Sequence, residues 1–320
     1  MNISFRQLRI FLELFETGSF TAAAARLHVT QSAASKMIAE LESQLNLVLF
    51  DRTTRRVTPN DAAREFHAFA VDVVATMQTA TRSVEELISL DRGKVSIAAS
   101  PLMIYGLLAQ VIADYRTRHP GIQFELHELS TDDTVESVRA GTVDFGLGAI
   151  DMRIPGIQSE VVLEDGMYVV VNPGHPLIRR ASVALDELAA WNHISLRNFY
   201  SVRRSLDLIL AHRGVTLPSA IEAGTLTAAL GLVRCGAGLL IVPGYAAAIA
   251  EQWGMHTIAI AGVSPTVHQI SLIQRSRARP SVSTRHFLEV LRPTLDARRA
   301  TQLDGVQIKR KSRNKGHSRD

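Results

Sequence analysis

Residues 5–59, FRQLRIFLELFETGSFTAAAARLHVTQSAASKMIAELESQLNLVLFDRTTRRVTP, decide how this chain is read. Phe5, Leu8, Leu12 and Phe15 recur on one helical face, and Gly18 stands where a glycine commonly ends a helix. Ser19 is placed to cap a short second helix, FTAAAARL, whose alanines let a neighbour approach closely. The turn LHVT follows without a glycine, so His28 is the residue expected to take the left-handed backbone angle. Thr30 caps a third helix, QSAASKMIAELESQL, with Ala34, Ile38, Leu41 and Leu45 on its apolar face. Gln31, Ser32, Ser35 and Lys36 occupy the other side, near the N-terminal end.

That asymmetry carries chemistry. The leading end of a recognition helix enters the major groove, where Gln pairs bidentately with adenine, Ser reaches bases or phosphates, and Lys reaches guanine or phosphate. From this pattern alone a solvated polar face is an equal reading. The stretch after LNLVLF tips the balance, because Arg52, Arg55 and Arg56 crowd one short loop. Beside a helix pair, such a loop reads as a wing on the phosphate backbone or minor groove.

With RQL, F, GSFTAAAARL, V, Q, S, I, LE, LF, R and T in this order, the stretch resembles the winged helix-turn-helix of LysR-type transcriptional regulators. Asn46 stands where that family often has glycine, a change expected to affect only a loop conformation. The resemblance implies a 20-residue motif from Phe20 to Ala39 within a DNA-binding domain over 1–60. It implies that Gln31, Ser32, Ala33, Ser35 and Lys36 face double-stranded DNA, with Arg52, Arg55 and Arg56 on the wing.

Thr58-Pro59-Asn60-Asp61 reads as the next helix start, with Thr as N-cap and Pro first inside. Nothing interrupts it before Gly93, so it could extend roughly 48 Å. Phe66, Phe69, Val73, Met77, Ala80, Val84 and Leu87 form a heptad-like seam. The expected partner is the same helix of a second subunit, making 61–93 a dimerisation linker; the alternative is an amphipathic helix packed on its own chain. In the resembled family this element is the linker helix of a dimer, and the assembly expected here is a homodimer or homotetramer.

From 94 to 304 strands and helices alternate, predicting a parallel sheet flanked by helices. Ligands of such sheets bind beyond the strand carboxyl ends. Four junctions there are rich in Ser, Thr and Gly: Ser100-Pro101, Ser130-Thr131, Tyr200-Ser201 and Gly224-Thr225. Each offers free N–H groups, a hydroxyl and a helix dipole, and nearby Arg197 and Arg203 are candidates to pair with a carboxylate. GTVDFGLGAI and LVRCGAGLLIVP resemble the LysR-type effector domain, similar to type 2 periplasmic binding proteins. That resemblance, covering about 3–295, implies one lobe over 94–163 and 268–304, another over 164–267, and a small-molecule effector between them. Carried over as effector-binding positions are Ser100, Pro101, Leu102, Ser130, Thr131, Gly148, Phe199, Tyr200, Ser201 and Thr225. The expected fold class is therefore α/β, with an N-terminal all-α winged helix-turn-helix, a long linker helix and a C-terminal two-lobed α/β effector domain.

Composition narrows the classes further. The 320 residues are 46% hydrophobic and 21% charged, which excludes a mostly disordered chain. No apolar run is long enough for a membrane span, and Arg6, Arg9, Glu13 and Glu16 break the N-terminal apolar stretch, so a cytoplasmic location is expected. The net charge of +4 is local: 305–320 holds six Lys/Arg against Asp320, a basic tail expected to be disordered. The single Cys235 excludes an internal disulfide and is expected to sit in the core. Neither a zinc-protease spacing, a phosphate-binding glycine loop nor a nucleophile elbow occurs; no catalytic residue, metal site or cofactor is expected beyond an effector, with a carboxylate as the candidate. The expected function is an effector-modulated, sequence-specific transcription regulator that also meets RNA polymerase. The alternatives are a cytoplasmic solute-binding protein or an enzyme on the same two-lobed scaffold.

Overall fold

A computed structural model describes residues 3–52, 57–88, 93–150, 152–198, 200–264 and 266–314. Three helices open the chain: α1 (Phe5–Thr17), α2 (Phe20–Arg26) and α3 (Gln31–Leu45). Ser4 and Gln7 form a capping box on α1, and the Ser19 and Thr30 hydroxyls accept the N–H of Ala22 and Ala33. His28 does take the left-handed angle, φ 53°, and Asn46 ends α3 at φ 54°, a conformation Asn tolerates. The head is not all helix: β1 (Phe50–Arg52) and β2 (Val57–Pro59) pair antiparallel as a hairpin.

That hairpin corrects the expected start of the next helix. Pro59 pairs with Phe50 as the last residue of β2, and Asn60 replaces Thr58 as the cap, its Oδ1 accepting the Ala63 N–H at 3.0 Å. Helix α4 then spans Asp61–Ile88, and Gly93 already belongs to β3 (Gly93–Ala99) rather than to the linker. The head core gathers Phe11, Leu14, Ile38, Leu41 and Phe50, with Phe66 of α4 packed against it.

A first sheet follows. After β3 come α5 (Pro101–Met103), a π-helical turn at Ile104–Leu108, α6 (Ala109–Arg118), β4 (Ile122–Glu128), α7 (Thr131–Ala140), β5 (Phe145–Gly148) and β6 (Ile157–Asp165). The chain then enters a second sheet with β7 (Met167–Val171), β8 (Ser182–Ala184) and β9 (Ile194–Leu196). It continues through α8 (Ser201–Arg213), β10 (Ile221–Ala223), α9 (Leu226–Arg234), β11 (Leu240–Pro243), α10 (Gly244–Gln252) and β12 (His256–Ala261). The return strand β13 (His268–Arg275) rejoins the first sheet, and α11 (Val282–Asn314) closes the chain. The backbone of 305–314 therefore continues a helix where a disordered tail was expected; 315–320 lie outside the described residues.

The sheets are mixed, not parallel. The first has the order β4-β3-β5-β13-β6, with β13 antiparallel to both neighbours; the second has the order β11-β7-β12-β8, with β7 antiparallel to β11 and β12. β9 and β10 pair parallel beside them. Local alternation signals a strand followed by a helix; it is blind to a strand that returns from the other lobe. β6 runs to Asp165, two residues past the expected crossing at 163, and pairs there with His268.

Candidate nucleic-acid interface and interlobe cleft

The apolar face of α3 fixes what its other face presents. Ala34, Ile38 and Leu41 are fully buried in the head core. Gln31, Ser32 and Lys36 are then exposed, and Ala33 and Ser35 half-buried, in the first turns of the helix. Of their side chains, Ser32 shares a 3.1 Å hydroxyl contact with Thr30, and Lys36 lies 3.9 Å from Glu40. Arg52 lies in β1 at the edge of the hairpin, whereas Arg55 and Arg56 fall outside the described residues. Glu42 of α3 holds the hairpin to the helix, its Oε1 accepting the Leu49 N–H at 2.9 Å and the Phe50 N–H at 3.3 Å.

The outer face of α4 is apolar. Phe69, Val73, Met77 and Val84 are each more than half exposed, whereas Phe66 leaves the expected seam for the head core and the side chain of Leu87 is outside the described set. Phe69, Val73 and Met77 share a groove of about 590 Å³ with Ile3, Phe5 and Leu8 beside α1.

The sensor half has its own convergence. β4, β3 and β5 are parallel, so their carboxyl ends Glu128, Ala99 and Gly148 share one edge. Ser100, Ser130 and Thr225 each cap a helix, accepting N–H groups of Met103, Asp133 and Ala228. Thr131 is buried beside Gly148: a Cβ on that glycine would lie 3.0 Å from Thr131 Cγ2 and from Ile273 Cδ1, so α7 packs tightly on the end of β5 here. Across from it, the Tyr200 hydroxyl donates to the Gly224 carbonyl at 3.0 Å, joining the 200–201 and 224–225 junctions. Burial raises the Tyr200 phenol above its usual range, and Glu128 of the other lobe adds to the shift. Arg204 of α8 reaches Asp132 of α7 at 3.5 Å, bridging the lobes.

Not every expected residue turns toward this space. Leu102 belongs to the apolar core, Pro101 is exposed, and Ser201 is buried without capping α8. Phe199 is outside the described residues. Arg203 is committed within its lobe: its Nε donates to both Asp207 oxygens at 2.7 and 2.9 Å, and Nη1 to Ser195 and the Leu196 carbonyl. Arg197 stays exposed, 3.9 Å from Glu222. Glu128 and Arg204 were missed in the sequence, since their proximity depends on two lobes meeting. Cys235 is exposed at the end of α9, correcting its expected place in the core. Among the described residues no group of three or more His, Cys, Asp or Glu could hold a metal, and no helix is long and apolar enough to cross a membrane.

Where the chain crosses between sheets, His268 is fully buried and its Nδ1 meets the Ser205 hydroxyl at 3.1 Å. Burial lowers this imidazole, and that of His193, to about 4. Unfolded, both take up a proton near 6.5 that the fold refuses until about 4. Stability is expected to fall as pH drops from 6.5 toward 4, by up to roughly 3 kcal/mol for each histidine. Urea unfolding at pH 7 and 4.5 checks this: the acid loss should shrink by about half of the histidine contribution in His268→Gln, and an identical loss in both proteins would refute it.

The cleft makes a further expectation. Thr131→Val keeps the shape but removes a buried hydroxyl packed beside Gly148. If Thr131 contributes the effector contact expected of it, response to the effector should fall about tenfold, the size of one lost hydrogen bond, while affinity for DNA stays within twofold. Titrating the effector against a bound operator separates these; joint loss would contradict the separation of the two sites.

Comparison with known proteins covers both halves. The profile of the LysR substrate binding domain matches residues 89–296, and that of the bacterial regulatory helix-turn-helix protein of the lysR family matches residues 5–64. The uncharacterized HTH-type transcriptional regulator YfeR of Shigella flexneri is 28% identical over 299 residues, covering 91% of this chain and 94% of that protein. The uncharacterized HTH-type transcriptional regulator YeiE of Escherichia coli K12 is 33% identical over 239 residues, covering 75% of this chain and 80% of the relative. Full-length CbnR, solved in complex with its target DNA, superposes with a TM-score of 0.56 at 27% identity, covering 91% of this chain and 99% of that one.

Proposed function

The chain belongs to the LysR family of bacterial helix-turn-helix regulators, and from that premise we propose that Gln31, Ser32, Ala33, Ser35 and Lys36 read base edges and phosphates while a small effector between the lobes sets how two heads are spaced. As a member, it is a DNA-binding transcription regulator with an effector-binding domain; the family consists of regulators rather than enzymes. That CbnR is known on its target DNA supports duplex DNA as the partner. The observation that carries the reading is the outward polar end of α3 beside a hairpin tied to it by Glu42.

Two such helices reach two half-sites if the subunits pair through α4, whose exposed Phe69, Val73 and Met77 supply the apolar contact. Arg52, Arg55 and Arg56 hold phosphates and fix the register. The effector lies over Thr131 and Gly148, among Ser100, Ser130, Tyr200 and Thr225; Arg197, exposed and only loosely paired with Glu222 at 3.9 Å, is the cation that would meet a carboxylate. No further cofactor is required. An effector shifts the lobes only by its difference in affinity between their arrangements, and α4 carries the shift to promoter-bound heads in the cytoplasm, where RNA polymerase reads it.

Fluorescence anisotropy with cognate and scrambled duplexes tests the reading. Gln31→Ala and Ser35→Ala should each cost about 1–3 kcal/mol on cognate DNA and little on scrambled DNA. Unchanged preference in both variants would remove α3 from base readout.

A further inference from the structure

A further cavity borders the linker helix. It occupies about 500 Å³ between α4 and the sensor, walled by Gln78 and Thr79 of α4, Thr142 after α7, and Gln274 and Arg275 ending β13. Arg275 is the unusual member. Its side chain is 9% exposed, its nearest carboxylate is Asp72 Oδ1 at 4.0 Å from Nε, and Nη1 is buried with no hydrogen-bond partner among the described residues. Burial lowers its pKa, with Asp72 only partly compensating. A guanidinium this buried, with its nearest carboxylate 4.0 Å away, is poorly compensated, and an oxyanion meeting the edge that remains accessible is the partner its fork fits best.

The surroundings favour an anion. Arg279 adds a second cation to the wall, and the carboxylate there, Asp144, already accepts the Ser96 N–H at 2.8 Å. Gly141, at φ 71°, sits where no side chain fits: a Cβ on it would lie 2.6 Å from the Ala75 Cβ of α4 and 2.9 Å from Arg275 Nη1. The linker helix, the end of α7 and the end of β13 thus meet at one guanidinium.

We propose that this cavity is a second ligand site, taking a small oxyanion, carboxylate or phosphate, on Arg275 between the linker helix and the sensor. Its consequence is regulatory. β13 starts at the interlobe crossing with His268 and ends at Arg275, a span of roughly 23 Å at strand rise. An anion bridging Arg275 to Gln78 and Thr79 ties α4 to the strand that also reaches the interlobe crossing, so it adds an input separate from the cleft.

Thermal unfolding of the full-length protein tests this with sodium phosphate and sodium malonate against sodium chloride at matched ionic strength. At least one oxyanion should raise the midpoint by several degrees more than chloride does. A response to phosphate alone assigns a phosphoryl ligand, to malonate alone a carboxylate. Arg275→Gln should abolish the difference and Arg234→Gln, exposed at the end of α9, should retain it. Equal effects of all three salts, or an undiminished difference in Arg275→Gln, would overturn the proposal. Because Arg275→Gln risks the fold, selenate soaked into crystals of the unaltered protein provides an independent readout. An anomalous peak at Arg275 is expected, and peaks only elsewhere would overturn it.

Discussion

Val73→Glu, alone or with Met77→Glu, is expected to turn the protein into a folded monomer that has lost nearly all operator affinity. Phe69, Val73, Met77 and Val84 recur along one side of α4, and each is more than half exposed. Ala63, Ala70, Val74 and Ala75 on the other side are buried against the chain itself. A helix apolar on both sides needs two partners, and only one belongs to this subunit. A carboxylate in the outer stripe leaves the inner contacts untouched, so the head should still fold, while an unpaired charge in the subunit seam opposes association. Losing the second head removes its effective concentration at the neighbouring half-site, a loss of roughly 100- to 10 000-fold. Light scattering and a gel shift on a two-half-site duplex measure both parts. A dimer that survives the double substitution would show that α4 is not the contact.

Phe11→Ala should unfold the head. Phe11 is fully buried, and its ring lies 5.6 Å from Phe50 of the hairpin, 5.1 Å from Phe66 of the linker helix and 6.0 Å from Phe15. One side chain therefore fastens α1, the hairpin and α4 together. Removing a buried phenyl ring costs about 3–5 kcal/mol, which is a large share of the stability of a small domain. DNA binding should vanish at 37 °C while the sensor half keeps its own cooperative transition, because its core is a separate cluster. Calorimetry should show a lost or strongly lowered first transition; a single unchanged transition would mean the ring contributes little.

The head was legible because its signals are local. Ser19 and Thr30 sit where caps are needed, His28 had to take a positive φ in a turn without glycine, and the faces of α1 and α3 repeat at helical spacing. The same local reading went astray at Thr58-Pro59, which has the form of a helix start. The strand pairing of Phe50 with Pro59 outweighed it, and Asn60 became the cap. In the sensor the helices α7 and α9 begin after Ser130 and Thr225 as expected, since a hydroxyl on a free N–H is a short-range device. Strand direction is long-range: nothing near His268 announces that β13 comes back antiparallel from the other lobe.

The candidate sites divide in the same way. The polar end of α3 follows from its own apolar face, and the junctions at Ser130 and Thr225 from their own caps. Arg203 was misjudged because its partner Asp207 sits one helical turn along and claims it. Glu128 and Arg204 come to the lobe boundary only through tertiary packing. Arg275 gave no signal at all, since its isolation results from α4 and Gly141 closing over it.

The most direct test of the account is a photo-crosslink from α3 itself. A photoreactive side chain replacing Ser32, exposed beside Gln31 at the head of the helix, should attach to duplex DNA on excitation. Attachment is expected at bases in the major groove, at two positions separated by whole helical turns and related by the operator's two-fold symmetry. Crosslinks confined to the sensor half, or none from position 32 on DNA that the protein visibly retards, would contradict it.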